Sequence, residues 1–428
     1  MIVNTTIAGI LRPPPDLSAE SRRRIEKWLL SLNSPDFSPV IKTQFEMIDF
    51  LVDLENRVIE LNRGRKALKA PIPNLKAAGR FDQIRSTQGQ VSLLDEQLDL
   101  LHYERDCVLL VGDTIASRIL DVDAIKHFAQ YPASGFISGK EGLKSEIEAA
   151  NHFLRDGYLV LFNDLTHCLR LGDLTLSKDA EVRTFEVKSR AAAYFEPETV
   201  RQIVLPIGIH SYIRDDVIRA PVKIPGSNEV GRGMARVESG FKEDWHHRVG
   251  GAIYKALRRG PIAQFQMGKK TYIAAPRKHA SQLKRELESL TESGHWVVGN
   301  VRRRVCEGAD LPPFTGWFKP NSAVEIISGD LIVLSAFAME DLVQLFADRG
   351  VTTTFRPQQH DLFPIILSTP YIEEQKKEFT YIGNIGDWQR ERVLYSFLAL
   401  ESFAEICAFM ISPEARRQTV SKLETQQK

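Results

Sequence analysis

The 428-residue chain is poor in cysteine, lacks long apolar runs and carries almost no net charge. Its four cysteines, Cys107, Cys168, Cys306 and Cys407, stand far apart. No pair has zinc-ligand spacing, and four are too few for a disulfide framework, so a reducing, cytoplasmic setting is expected. No apolar stretch approaches the roughly 18–20 residues that cross a bilayer, so no membrane segment is expected. Residues 1–12 lack a basic start and a cleavage site, which speaks against a secretory leader. The ten histidines are scattered, and His246-His247 are adjacent, so on a helix they point in different directions. No serine stands in a nucleophile-elbow context. Gly135-Phe136-Ile137-Ser138-Gly139-Lys140 is one residue short of the phosphate-cradling loop, and Glu141 stands where Ser or Thr would meet magnesium. Nucleotide hydrolysis is therefore not expected.

The net charge of +1 hides an asymmetry: between Arg248 and Arg304 there are 13 Lys and Arg against 3 Asp and Glu. The bases come in groups, Arg258-Arg259, Lys269-Lys270, Arg277-Lys278, Lys284-Arg285 and Arg302-Arg303-Arg304, with Tyr254, Phe265, Tyr272 and Trp296 between them. Paired bases suit phosphates and interleaved aromatics suit unpaired bases, so this segment is expected to contact a polyanion.

At roughly 100–200 residues per domain the length allows two or three domains. Residues 1–135 read as a helical N-terminal domain. Ser18 is the expected N-cap of a helix through Leu32, and apolar residues at helical spacing mark long helices over about 42–63 and 88–110. These stripes are expected to pack helix on helix, and the region could also hold a homo-oligomer or a partner protein together. Residues 136–290 read as an α/β core: a helix over 141–155, strands over 158–162, 168–176 and 183–189, and a helix beginning near Pro197. Prolines and glycines over about 206–245 mark a looped insertion. Residues 291–428 alternate strands and helices, as in an α/β or α+β accessory domain, with a helix expected over 390–410.

One constellation could carry chemistry. Along Thr184-Phe185-Glu186-Val187-Lys188-Ser189 the pleat sends Glu186 and Lys188 to one side and Phe185 and Val187 to the other. The preceding strand, Leu171–Leu176, isolates Asp173 among apolar residues, and Gly172 allows a close approach of backbone or ligand. If the two strands pair, Asp173 comes beside Glu186, a hard oxygen site suited to magnesium. On the helix before them Leu143, Ile147, Ala150, Phe153 and Leu154 form the apolar face. Glu146 falls at its border, while Glu148 points away to solvent.

This order (helix acid, Asp173, Glu186-Val187-Lys188, then Arg201-Gln202 on a following helix) resembles the PD-(D/E)xK nuclease superfamily over residues 140–205. The resemblance departs at Gly172-Asp173, where a Pro-Asp pair is usual. It implies a restriction-endonuclease-like fold, a central mixed sheet flanked by helices, and Mg²⁺ or Mn²⁺ held by Asp173, Glu186 and the Val187 carbonyl. It also implies that Glu146 binds or positions a second ion or water, that Lys188 steers the attacking water, and that Gln202 matches a glutamine of some branches. Arg190, Arg201 and the basic segment would then contact nucleic acid, DNA rather than RNA. The activity implied is a metal-dependent endonuclease, of a kind that serves as an effector in bacterial anti-phage or restriction systems. A catalytically idle nuclease fold acting as a nucleic-acid-binding or scaffold subunit is the competing expectation.

Overall fold

In the computed structural model, residues 7–32, 38–120, 135–178, 181–187, 196–198, 217–222, 233–238, 245–258, 260–292, 296–305, 318–355, 365–372 and 378–385 are described, with isolated positions between them. The chain is mixed α/β with a helical N-terminal region. Its contacts group it into two compact units: Pro13–Ile209 with Val305–Ser328, and Met1–Arg12 with His210–Arg304 and Gly329–Lys428.

Helices come first: α1 (Ile7–Ile10), α2 (Ala19–Ser31), α3 (Ser38–Lys69), α4 (Ile72–Ala77) and α5 (Phe81–Ile119). Ser18 caps α2 as expected, its Oγ accepting from the Ser21 amide at 3.0 Å. The long helices α3 and α5 pack through Leu54, Val58, Leu98 and Leu101, the apolar stripes legible in the sequence. Helix α5 runs nine residues beyond the expected Leu110. From Cys107 to Ser117 every residue is buried, and a helix enclosed on all sides has no one-sided stripe to mark its end. Among the described residues no helix is long and apolar enough to cross a membrane.

Next come α6 (Leu143–Arg155), β1 (Leu159–Phe162), β2 (Leu174–Lys178), β3 (Glu181–Glu186) and β4 (Glu196–Glu198). The helix–strand–strand–strand order is the expected one, but the fourth element is not: Pro197 lies in β4, paired with Phe185, rather than opening a helix. Proline fits there because β4 is an edge strand of the sheet β1-β2-β3-β4. All pairings among the described residues are antiparallel. The mixed sheet implied by the resemblance is therefore not found among them. Among the described residues β1 is an edge strand, and a side chain takes up its outer groups: Gln44 of α3 donates to the Val160 carbonyl at 2.9 Å and accepts from the Phe162 amide at 3.1 Å. A side-chain amide thus bonds these backbone groups as a neighbouring strand would.

In the other unit the segment expected to be a looped insertion contains a hairpin, β5 (Val217–Val222) with β6 (Gly233–Glu238). Beyond it, α7 (Trp245–Leu257) and α8 (Ala280–Glu292) accompany a sheet ordered β7-β8-β10-β9, formed by Ala263–Met267, Lys270–Pro276, Leu331–Ala338 and Trp296–Asn300. Its core includes Ile273, Ala275, Leu283, Leu287, Ile332 and Leu334. Strands β11 (Thr352–Phe355), β12 (Ile365–Ile372) and β13 (Glu378–Ile385) form a separate antiparallel sheet. The helix expected over 390–410 lies mostly outside the described residues.

Candidate metal centre

Three loops and one helix converge at the open end of the β1–β3 sheet. Helix α6 packs its apolar face on the sheet, with Phe153 against Phe185 (ring centroids 5.1 Å apart) and against Tyr158 (5.8 Å). That packing buries Glu146 at the first turn of α6 to 2% exposure, whereas Glu148 is exposed. The border position read from the sequence thus becomes a buried carboxylate.

Asp173 stands where the hairpin register places it. Leu174 pairs with Phe185, and the Asp173 amide donates to the Phe185 carbonyl at 2.7 Å. Its Oδ2 accepts from the Val187 amide at 2.6 Å, which fixes the end of β3 beside it. The approach requires Gly172, whose φ of +71° suits glycine and whose Cβ, if present, would lie 2.8 Å from the Phe185 oxygen.

Asp164 completes the group and was not foreseen. It sits in the 3₁₀ turn Asn163–Leu165 directly after β1, and buried Asn163 draws that turn to the start of β2. The Asn163 side chain donates to the Leu171 carbonyl at 2.7 Å and accepts from Thr175 Oγ1 at 2.8 Å, while its amide donates to the Asp173 carbonyl at 3.0 Å. An acid just past the end of an apolar strand was the signal available in the sequence.

Glu146, Asp164 and Asp173 each bring one carboxylate oxygen within 4.8 Å of the others. The Lys140 ammonium lies among them, 2.7 Å from Asp173 Oδ1, 2.8 Å from Asp164 Oδ2 and 2.8 Å from Glu146 Oε1. It donates hydrogen bonds to both aspartates. The buried Glu146 carboxylate is its third ion-pair partner. Partial burial opposes the charge on Lys140, but Asp164, Asp173 and Glu146 outweigh it and raise its basicity. Burial raises the Glu146 carboxyl above the usual range; Lys140 pulls it back and the two aspartates push it further up.

Hard oxygen donors from three carboxylates, one of them buried, fit a small divalent cation such as Mg²⁺ or Mn²⁺. The three carboxylates and one ammonium leave a formal balance of −2 at this spot. Of the ligands implied by the resemblance, Glu146 and Asp173 are in the group. Glu186 is exposed at the end of β3 and is not a member of it; Val187 reaches it through the amide held by Asp173. Lys188, Arg190, Arg201 and Gln202 lie outside the described residues.

The basic segment is less uniform than its sequence. Lys270 is buried to 1% exposure in β8, a central strand, so it is not part of a phosphate-tracking surface; burial pulls its amine down to about 7, against the charge of Glu401. Lys269 is exposed but paired with Asp341 at 3.0 Å, and Arg302 donates to the Arg12 carbonyl at 2.7 Å. Arg258 is exposed and lies over the Tyr254 ring, Lys278 is exposed and Arg277 is half-buried. Arg259 and the side chains of Arg303 and Arg304 lie outside the described residues.

Behind the metal-competent group, α5 clamps the loop that leads from Asp164 to Asp173. Buried Asp113 accepts from the His167 amide at 2.7 Å and the Cys168 amide at 3.1 Å, and its Oδ2 meets His167 Nδ1 at 2.9 Å. Asp106 Oδ1 lies 3.7 Å from His167 Nε2. Burial disfavours the imidazolium, yet Asp113 and Asp106 prevail and raise the histidine above its ordinary value. A proton is therefore bound more tightly in the folded state. The stability it contributes is full below the ordinary histidine range near 6.5 and is lost as pH rises through the raised folded value. His167→Gln should flatten this fall in urea-unfolding free energy between pH 6 and pH 9; an unchanged pH profile would show that the imidazolium does not hold the clamp.

No protein-family model, curated protein or solved structure matches the chain.

Proposed function

We propose that the protein is a divalent-metal-dependent nuclease, hydrolysing phosphodiester bonds of nucleic acid, with DNA favoured over RNA, and serving as an effector of a bacterial anti-phage or restriction system. The observation that carries this reading is the convergence of Glu146, Asp164 and Asp173 at the open end of a β-hairpin whose second strand ends at Glu186. The helix–strand–strand–strand order agrees with the PD-(D/E)xK resemblance as far as β3.

A dication held there would lower the pKa of a bound water and neutralise charge on the phosphoryl oxygens. The chain's own residues supply the rest. Asp173 and Asp164 orient their oxygens through the Val187 amide and the Asn163 turn, so little reorganisation is needed at the moment of reaction. Lys188 follows directly on the Asp173-bound amide of Val187, and in this reading it steers the attacking water. The exposed bases Arg258 and Lys278 would contact the phosphate backbone.

The test is incubation of the pure protein with linear DNA and with RNA in Mg²⁺, Mn²⁺ or EDTA. Cleavage in either metal and none in EDTA is expected; equal integrity of both substrates in all three conditions overturns the assignment. One observation favours a second reading, an idle nuclease fold that binds nucleic acid or scaffolds a complex: Lys140 already satisfies the carboxylates with an internal cation. Salt-sensitive nucleic-acid binding without cleavage would select it.

A further inference from the structure

The loop that carries Lys140 is held from the helical hairpin. Glu55 of α3 is fully buried and accepts at Oε2 from the Ser138 amide (2.8 Å) and at Oε1 from Arg105 Nε of α5 (2.8 Å). Arg105 in turn donates to the Gly135 carbonyl at 3.1 Å and lies over the Phe136 ring, its guanidinium carbon 5.2 Å from the centroid. A buried carboxylate and guanidinium thus grip residues 135–138 from both long helices. Gly139, at φ +76°, then reverses the chain, and the Lys140 amide donates to the Ile137 carbonyl at 3.1 Å. The result delivers one ammonium into the carboxylate group.

Ammonium and dication exclude each other there. The ammonium touches one oxygen of each carboxylate at 2.7–2.8 Å, and Mg²⁺ would need those oxygens at about 2.0–2.1 Å. Two cations sharing the same three oxygens would repel at close range in a poorly hydrated place. Lys140 has a way out, because its side chain is 31% exposed.

From this geometry we infer that Lys140 is an internal counter-cation that occupies the Glu146–Asp164–Asp173 site and must withdraw before a divalent ion binds, with the Glu55–Arg105 grip on its loop setting how readily it does so. This rests on the reading of the group as a metal site. It makes the α3–α5 hairpin a regulator of metal affinity, since whatever shifts Glu55 or Arg105 shifts the loop that Lys140 rides on.

The measurement is a titration of the full-length protein with Mn²⁺ alone by calorimetry, comparing wild type, Lys140→Met and Lys140→Gln. Removing the competing charge should tighten Mn²⁺ binding at least about tenfold in both variants. Mn²⁺ should also raise the melting temperature of the variants more than that of the wild type, a readout that remains if Lys140→Met is poorly folded without metal. Wild-type affinity in both variants would remove the counter-cation role and leave the metal site standing. Absence of Mn²⁺ binding in all three proteins would remove the metal site itself, and this inference with it.

Discussion

Asp173→Asn should lower Mg²⁺-dependent cleavage at least about 100-fold, the scale on which even outer partners of metal ligands change affinity or activity. Both Asp173 oxygens are engaged, Oδ1 by the Lys140 ammonium and Oδ2 by the Val187 amide. Asparagine offers one acceptor and turns its amide hydrogens toward the other donor, so it removes a metal ligand and loosens the end of β3 together. Losing one charge-assisted hydrogen bond costs about 1.5–3 kcal/mol, so the variant is to be compared at a temperature where circular dichroism shows it folded. Glu148→Gln serves as the control: Glu148 lies on the same helix, is exposed, and should leave cleavage unchanged. Undiminished cleavage by folded Asp173→Asn would end the assignment of this group as the active site.

The largest effect on stability is expected at Gly112→Ala. Gly112 lies in the buried stretch of α5, and a Cβ built there would stand 1.7 Å from the Leu165 carbonyl oxygen and 2.7 Å from its carbon. Both obstacles are backbone, so no rotamer change relieves the clash. The helix and the Asn163–Leu165 turn must separate, at a cost of about 3 kcal/mol or more. Because that turn carries Asp164, weaker Mn²⁺ binding should accompany the lowered urea midpoint. An alanine variant with wild-type stability would show that α5 and the turn do not need this contact.

Much of the architecture was legible because it rests on periodicity. The α3 and α5 stripes, the Ser18 cap and the α6 face repeat along neighbouring residues, so the pattern needs no knowledge of the rest of the chain. Asp173 was found for the same reason: the alternation of two adjacent strands sets their register, and Asp173 falls next to the end of β3. Three consecutive domains were expected, whereas the contacts gather two units, each built from separated stretches.

Alternation and helical spacing along the chain were enough to identify an acid-bearing helix ahead of an antiparallel hairpin, and to single out Glu146 and Asp173, whose carboxylates meet in the structure. They could not identify Lys140 or Asp164, which sit in irregular loops 24 residues apart and meet only because Asn163, Glu55 and Arg105 fold those loops together. Nor could they show that Lys270 is enclosed while its neighbour Lys269 is exposed, since enclosure depends on β7 and β10 flanking β8. Local order follows from nearest-neighbour stereochemistry; the charge balance of a buried site follows from which distant segments exclude water around it, and that is a property of packing.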